Sequence, residues 1–487
     1  MSGRAGPIIE GDHMRRLGRT WIRRYLFLPL LCLALVTASC TPDDDGGGEA
    51  DDGAITLQIL DNAVRGGKNA AGAEWILEYV IPTFEQRMAD EGRDVTVELN
   101  ETGIDDEDYK TQIALDLGAA GGSDIMGFDQ FWVAEFQAGG LLEPLTEVVG
   151  AEVDDWEGWE QIPDAVQGSL ELDGERYGIP LGTDGRVLFY NKDLFSQAGL
   201  PPDWQPTSWD EILDTARTLR SALPGVTPLQ INAGVSMGEA TTLQGFVPIL
   251  LGTGAAVYDE SEEKWLGDTP ELREALGFYD TIYREGLANG ELQTRADARD
   301  RSFQEFSQGT IAILAESDYL WRSVVAPDAD LFPMANRDQA VGFAMIPARE
   351  SGAGINGQDF VSASGGTGYV INPNTEHPEE AWELLQFLGS QEAVLDAVAR
   401  NPRITAREDV NAETLTSDPL LLFIAAAILP ITWYRPGFEE YPQVSTAIQE
   451  MVESVAAGRA TVEQAAQTFN AALVEIVGGE DNVLTGS

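Results

Sequence analysis

The chain has 487 residues, with 81 Asp and Glu against 30 Lys and Arg, a formal net charge of −51. A surface this acidic repels phosphate, which argues against nucleic acid and anionic lipid as partners. Apolar residues make up 43%, enough for a sizeable core, and the length predicts two large domains or three smaller ones. Two Cys and two His cannot assemble a Cys/His metal site, and no metal or cofactor is expected.

In chain order, the first element is an export address. Arg15, Arg16, Arg19, Arg23 and Arg24 precede an apolar run from Tyr25 to Ala38. That run is too short for a mature membrane-spanning helix, which needs about 20 apolar residues. A basic segment followed by a short apolar core is a secretory signal. It starts at Met1 or Met14, and Arg23-Arg24 leaves both general and twin-arginine export open. The run ends Val36-Thr37-Ala38-Ser39-Cys40, which resembles a bacterial lipobox with Thr37 where Leu is commoner. The expectation is a signal over 1–39 with lipid on Cys40, and the alternative is a plain cleaved signal. Removing 1–39 takes six Arg and two acids and leaves the mature chain at −55. Residues 40–53 are Gly- and Asp-rich without a large apolar side chain, a self-repelling tether. Together they predict a lipid-anchored, extracytoplasmic protein, with the charge reading as a solvated outer surface.

Ile55, Leu57 and Ile59 alternate on one face of a strand over 54–60. A helical stretch carrying Trp75, Tyr79 and Phe84 follows, interrupted by Pro82. Then come a strand at 95–99, a helix at 106–117, a strand at 123–128 and a short helix at 131–138. Strand–helix–strand order predicts a parallel sheet. A second α/β block begins near Tyr177 with a strand at 187–190. Ser208 and Glu211 form a capping-box pattern, as do Thr461 and Gln464. Helices are expected at 272–285, 378–388 (Pro378 at its first position, His377 as its cap) and 461–476, with a short strand at 367–371.

At Tyr177 the sequence reads YGIPLGTDGRVLFYNKDLFSQAGL and then PPDWQPTSWDEILDTARTL. Together with Phe306–Arg322, Gly365–Gln391 and Tyr441–Phe469, in that order, this resembles the extracellular solute-binding proteins of ABC importers, of the carbohydrate, maltose-binding-like type. One departure is that Ala315–Tyr319 replaces the usual Gly-containing turn before Trp321. The resemblance implies the two-lobed α/β fold of periplasmic binding proteins, with three hinge crossings and an interlobe ligand cleft. The crossings are expected near 181–187, 345–354 and 402–405. The first lobe is then 54–182 plus 353–403, the second 184–346 plus 405–477, and 478–487 a tail.

Sugars need aromatic platforms and planar polar partners, and ligands of open α/β sheets sit beyond the carboxyl ends of strands. That rule selects Asp61 and Asn62, then Asp129, Phe131 and Trp132, then Thr183 and Asp184. The resemblance adds Trp321, the Gly366, Thr367 and Tyr369 turn, and Trp433 and Tyr434; Arg435 is either a ligand contact or an internal ion pair. Trp209 and Trp382 read as packing residues. With this many carboxylates, close acidic pairs are inevitable and give no evidence for glycosidase chemistry. The expected function is a non-enzymatic, monomeric binding protein that takes a neutral mono- or oligosaccharide and hands it to ABC permease subunits. The rivals are a binder of a cationic solute (polyamine or peptide), an exported glycan-cleaving enzyme, and a sensor lipoprotein. An excess of cleft carboxylates not paired with Arg would favour the cation; one or two would favour the sugar.

Overall fold

The structure, a computed structural model, describes residues 54–486. The signal, Cys40 and the tether lie outside the described residues. The alternation at the start forms the strand Ile55–Asp61, with Leu57 and Ile59 fully buried. It pairs in parallel with Val95–Glu101 and with Ile125–Asp129. Gly366–Ile371 and Gly178–Thr183 extend this sheet antiparallel, so the first lobe has a five-stranded mixed sheet. The second lobe's sheet has Arg186–Asn191 between Val341–Ala344 and Ile311–Ser317, with Thr227–Gln230 on the outer edge.

Helices cover both sheets. The first does not break at Pro82 as expected. It runs from Ala70 through to Asp90, with a π-helical turn over Ile76–Val80. Proline lacks the N–H that an α-helical turn would use, and the wider turn just before it absorbs the misfit. Helices Trp209–Ala222, Pro270–Arg284, Pro378–Leu388 and Val462–Ile476 lie close to their expected ranges, and Trp209 and Trp382 pack in the core. The Ser208 hydroxyl accepts from the Glu211 N–H, but Glu211 reaches back to the N–H of Thr207, not of Ser208. His377 occupies the cap position of its helix without a side-chain bond. At Thr461 the box is complete: the Gln464 N–H donates to the Thr461 hydroxyl (3.3 Å) and the Thr461 N–H to Gln464 Oε1 (3.1 Å). Thr461→Ala should therefore cost about 1 kcal/mol in urea unfolding; an unchanged midpoint would mean the last helix is held by packing alone.

The pairings bear on where the chain passes between lobes. Phe360–Ser364 pairs with Ile346–Pro347 and Thr432–Tyr434, whereas Gly366–Ile371 joins the first sheet. On that basis we place the second crossing at 364–366, later than 345–354. Gly182 bridges Thr405, and the Ala406 N–H donates to the Leu181 carbonyl (3.1 Å), so 402–406 runs along the junction. The helix Glu408–Thr414 then packs Val410 on Val394 and Val398, and the chain rejoins the second core at Leu420. In the expected tail, Val483–Leu484 pairs in parallel with the strand Lys264–Leu266, and Val483 is buried. No helix among the described residues is long and apolar enough to cross a membrane.

Candidate functional site

The first sheet brings several expected residues to one edge. Asp61 and Asp129 end parallel strands, and the antiparallel strand at 366–371 sets Thr367 opposite Asp129 and Gly366 opposite Thr183. Beyond this edge the second lobe closes in. Phe131, just after Asp129, meets Tyr441 edge-to-face at 6.0 Å, and one buried cluster continues from Phe128, Phe131 and Trp132 to Phe246, Tyr441 and Ile448.

Arg435 joins the two sides. It follows the strand Thr432–Tyr434, and its side chain is 3% exposed. Nη2 donates to Asp129 Oδ1 at 2.8 Å, Nη1 reaches Glu239 Oε1 at 3.4 Å, and the guanidinium lies 4.2 Å from the Phe131 ring centroid. Glu239 also accepts from the Tyr441 hydroxyl (2.8 Å) and the Ser445 hydroxyl (2.5 Å). Burial pushes the Asp129 carboxyl up to about 6 against the opposing field of Arg435, and Glu239 adds to the rise. Of the two readings left open for Arg435, the structure shows the ion pair.

Asp184 is held in a second buried pair. Its Oδ1 accepts from Arg186 Nη1 and from the Gly365 N–H (2.7 Å). Burial raises its carboxyl, but Arg186 and that N–H outweigh it and hold the group below its ordinary value. Asp318 pairs with Arg322 (2.9 Å) and takes the Gly185 N–H, while burial holds it above its ordinary value. Glu316, fully buried, takes both ends of the Arg299 fork at 3.0 and 3.1 Å. Thr183 donates to the Gly365 carbonyl (3.1 Å), and burial raises the phenol of the half-buried Tyr434, opposed by the Thr183 hydroxyl. Trp433 is half-buried, in register with Ala363 and packed on the shared core.

Asp61 accepts from the Tyr369 hydroxyl, and burial raises its carboxyl. Its closeness explains Gly127, where a Cβ would lie 3.0 Å from Asp61 Oδ1. A Cβ at Gly366 would lie 3.0 Å from the Gly182 backbone carbonyl and 2.9 Å from Gln130 Oε1, so the protein itself crowds this position; Thr367 is exposed.

Three expected residues face inward. Asn62 is buried, its amide donating to the Ile104 carbonyl and Asp106, its oxygen accepting from the Ile104 N–H. These bonds fix the turn after the strand. Trp132 is buried against Phe128 (5.3 Å) and Tyr109 (6.2 Å). Trp321 is 1% exposed, set edge-on to Phe343 with its Nε1 donating to Asp418. Arg186, Glu239, Glu107 and Arg403 are among the charged groups at this junction that sequence reasoning did not select, as are the Glu316–Arg299 and Asp318–Arg322 pairs. Glu107 meets the second lobe at Gly238, and its carboxyl is raised by burial, with Glu239 adding to the rise. Arg403 had a usable signal, a cation inside the expected 402–405 crossing.

A sequence profile of the bacterial extracellular solute-binding proteins matches residues 69–395. The chain belongs to that family. A binding protein of Brucella abortus (strain 2308) is 24% identical over 383 residues, 78% of this chain and 85% of the relative. The mannitol-binding protein of Pseudomonas aeruginosa is 23% identical over 380 residues, 76% and 80% of the two chains. Among solved structures, an ABC transporter solute-binding protein of Thermotoga lettingae bound with α-D-tagatose superposes with a TM-score of 0.70 and 26% identity. It covers 86% of this chain and 100% of its own. Maltose-bound T. maritima MalE3 gives the same TM-score at 23% identity, covering 86% and 99%. This solute-binding protein is thus built on the two-lobed maltose-binding-like fold, and it is a binding protein, not an enzyme. The site geometry agrees with that. Asp129 and Glu239 both bond Arg435 (2.8 and 3.4 Å), so the two carboxylates share one cation and do not stand as a free acidic pair.

Proposed function

We propose that this solute-binding protein captures a neutral mono- or oligosaccharide between its lobes and delivers it to ABC permease subunits, held at the membrane by lipid on Cys40. The observation that carries the ligand class is the pairing of the junction's acids. Asp129, Asp184, Glu239, Glu316 and Asp318 each bond an arginine, and Asp106 bonds Lys68. Among the described junction carboxylates this leaves Asp61 and Glu107, too few to hold a polyamine without further neutralisation. The half-buried aromatic side chains of Tyr434 and Trp433 supply faces suited to sugar C–H groups, and the relatives named above bind mannitol, tagatose and maltose by their descriptions. Ligand touching both lobes favours the closed arrangement through differential affinity.

A thermal-shift screen over D-mannitol, D-tagatose, maltose and spermidine tests this. At 100 times Kd a ligand adds about 2.7 kcal/mol, a shift of several degrees. A shift from at least one of the neutral compounds is expected. A shift from spermidine alone would replace the sugar by a cation. For the anchor, Cys40→Ser should move the protein from the membrane fraction to the soluble fraction of the producing cell; unchanged membrane retention would sink lipidation.

A further inference from the structure

Arg403 is an exception in this molecule. Every other arginine among the described residues donates to a carboxylate or a carbonyl oxygen; Arg220 and Arg284, for instance, take Glu285 and Asp280. In a chain with 81 acids, pairing is the default. Arg403 makes no side-chain hydrogen bond among the described residues, and its Nε is buried without a partner there. The residue sits on the junction segment, after Pro402 and two residues before the Thr405 bridge to Gly182. Its charge is felt by Asp61 and by Tyr369 on the first lobe, and Arg322 of the second lobe acts on it as a like charge. Burial, reinforced by Arg322, pulls the guanidinium down to about 10, a sign that protein groups supply less stabilisation than they remove.

Asp61 is the complementary exception. Unlike Glu239, which has Arg435 as well as a tyrosine, it bonds no cation among the described residues: its side-chain partner is the Tyr369 hydroxyl, and Oδ1 is left beside the bare face of Gly127. An acid and a base of opposite charge therefore share a desolvated junction, influence each other, and do not form an ion pair. Five guanidinium donors and a carboxylate acceptor are left with unused capacity.

On the reading that the cleft takes a sugar or polyol, we infer that Arg403 and Asp61 form a subsite for two neighbouring hydroxyl groups of one neutral ligand, Arg403 donating to their oxygens and Asp61 accepting a hydroxyl proton. A hydroxyl is both donor and acceptor, so adjacent hydroxyls satisfy both groups at once. A carboxylate or phosphate ligand would gain Arg403 but meet Asp61, and an ammonium would gain Asp61 but meet Arg403 and Arg322. The pair thus selects against both charge signs, which is specificity by repulsion as well as attraction. It also lets a chain of −51 bind a neutral solute without steering in cations.

The test uses the full-length protein and the compound among D-mannitol, D-tagatose and maltose that shifts the wild-type unfolding temperature most. Calorimetric titration should show Arg403→Gln weakening that compound about 10- to 100-fold and Asp61→Asn about 10-fold, with Arg403→Lys in between, because buried groups left without hydroxyl partners are penalised in full. Arg403→Gln should at the same time gain spermidine affinity several-fold, a change that a merely structural role would not produce. The unfolding temperature of each ligand-free variant checks that it folds, and Arg403→Lys keeps the charge if Arg403→Gln does not fold. If wild type binds one of the three compounds and both Arg403 variants bind it within twofold of wild type, the subsite is overturned and the sugar reading stands. If none of the three shifts wild type and spermidine does, the sugar reading falls and this subsite with it.

Discussion

Replacing Trp321 by Ala is expected to cost about 4 kcal/mol of stability and to leave the affinity for a bound sugar nearly unchanged in whatever fraction folds. The family resemblance suggests a ligand-stacking indole at this position, so the two roles give opposite outcomes. In the structure the indole is 1% exposed, on a π-helical turn over Leu320–Val324. It lies edge-on to Phe343 at 5.9 Å, carries the Arg337 guanidinium on its face at 3.9 Å, and donates to Asp418 at 3.0 Å. Truncation removes a large buried ring and leaves a cavity, which places the cost in the 3–5 kcal/mol range for Trp or Phe to Ala. It also strands the Asp418 carboxylate oxygen that the indole N–H now satisfies. Trp321→Phe keeps much of the volume but loses the N–H and should cost roughly half as much. Urea unfolding gives the stability and calorimetry the affinity. A variant of wild-type stability that has lost sugar binding would put the indole in the cleft.

The sequence feature that could have foreseen this placement is the departure just before it. Where a Gly-containing turn is usual, Ala315-Glu316-Ser317-Asp318-Tyr319 continues the strand to Ser317. Its acids then pair with Arg299 and Arg322. Patterns that act locally were legible: alternation gave the strand at 55–61, and hydroxyl and amide spacing gave the Thr461 cap. Asp129 was legible because strand ends are where an α/β sheet offers polar groups. The pairing of Asp129 with Arg435 was not, since the two lie 306 residues apart and no periodicity links them. Glu239 gave no warning at all. It caps the π-helical segment Ala240–Phe246 without a motif, and its role comes from Tyr441 and Ser445 approaching from a helix about 200 residues later. The π-turn ahead of Pro82 shows the same limit at short range: proline was read as a break, but the helix widened instead.

The clamp at Asp129, Arg435 and Glu239 should show itself as a pH-dependent loss when it is cut. Arg435→Met retains the apolar stem over Phe131 but leaves two carboxylates at the junction without their cation. Removing one partner of a buried ionic network typically costs 3–5 kcal/mol, and about 3 kcal/mol is expected at pH 7.5, because Glu239 keeps the Tyr441 and Ser445 hydroxyls. The sign of the pH effect follows from Asp129. Its carboxyl stands at about 6 in the folded protein against an ordinary 3.8, chiefly through burial. Between those values the folded state holds the proton and the unfolded chain does not. Stability at this site therefore rises as pH falls through 6, and levels off below about 4. From pH 7.5 to 5 the wild-type gain from this group is about 1 kcal/mol, read as the difference between wild type and Asp129→Asn so that Glu239, Asp106 and the other acids cancel. In Arg435→Met the cation that restrains the rise is gone. The carboxyl then moves higher and its gain begins at a higher pH, so the gap between variant and wild type should narrow on acidification. Urea midpoints at pH 7.5, 6 and 5 decide the matter. A gap that is constant across the three would mean that Arg435 contributes through its guanidinium's contact with Phe131 and not through the carboxylates, and a widening gap would overturn the charge account altogether.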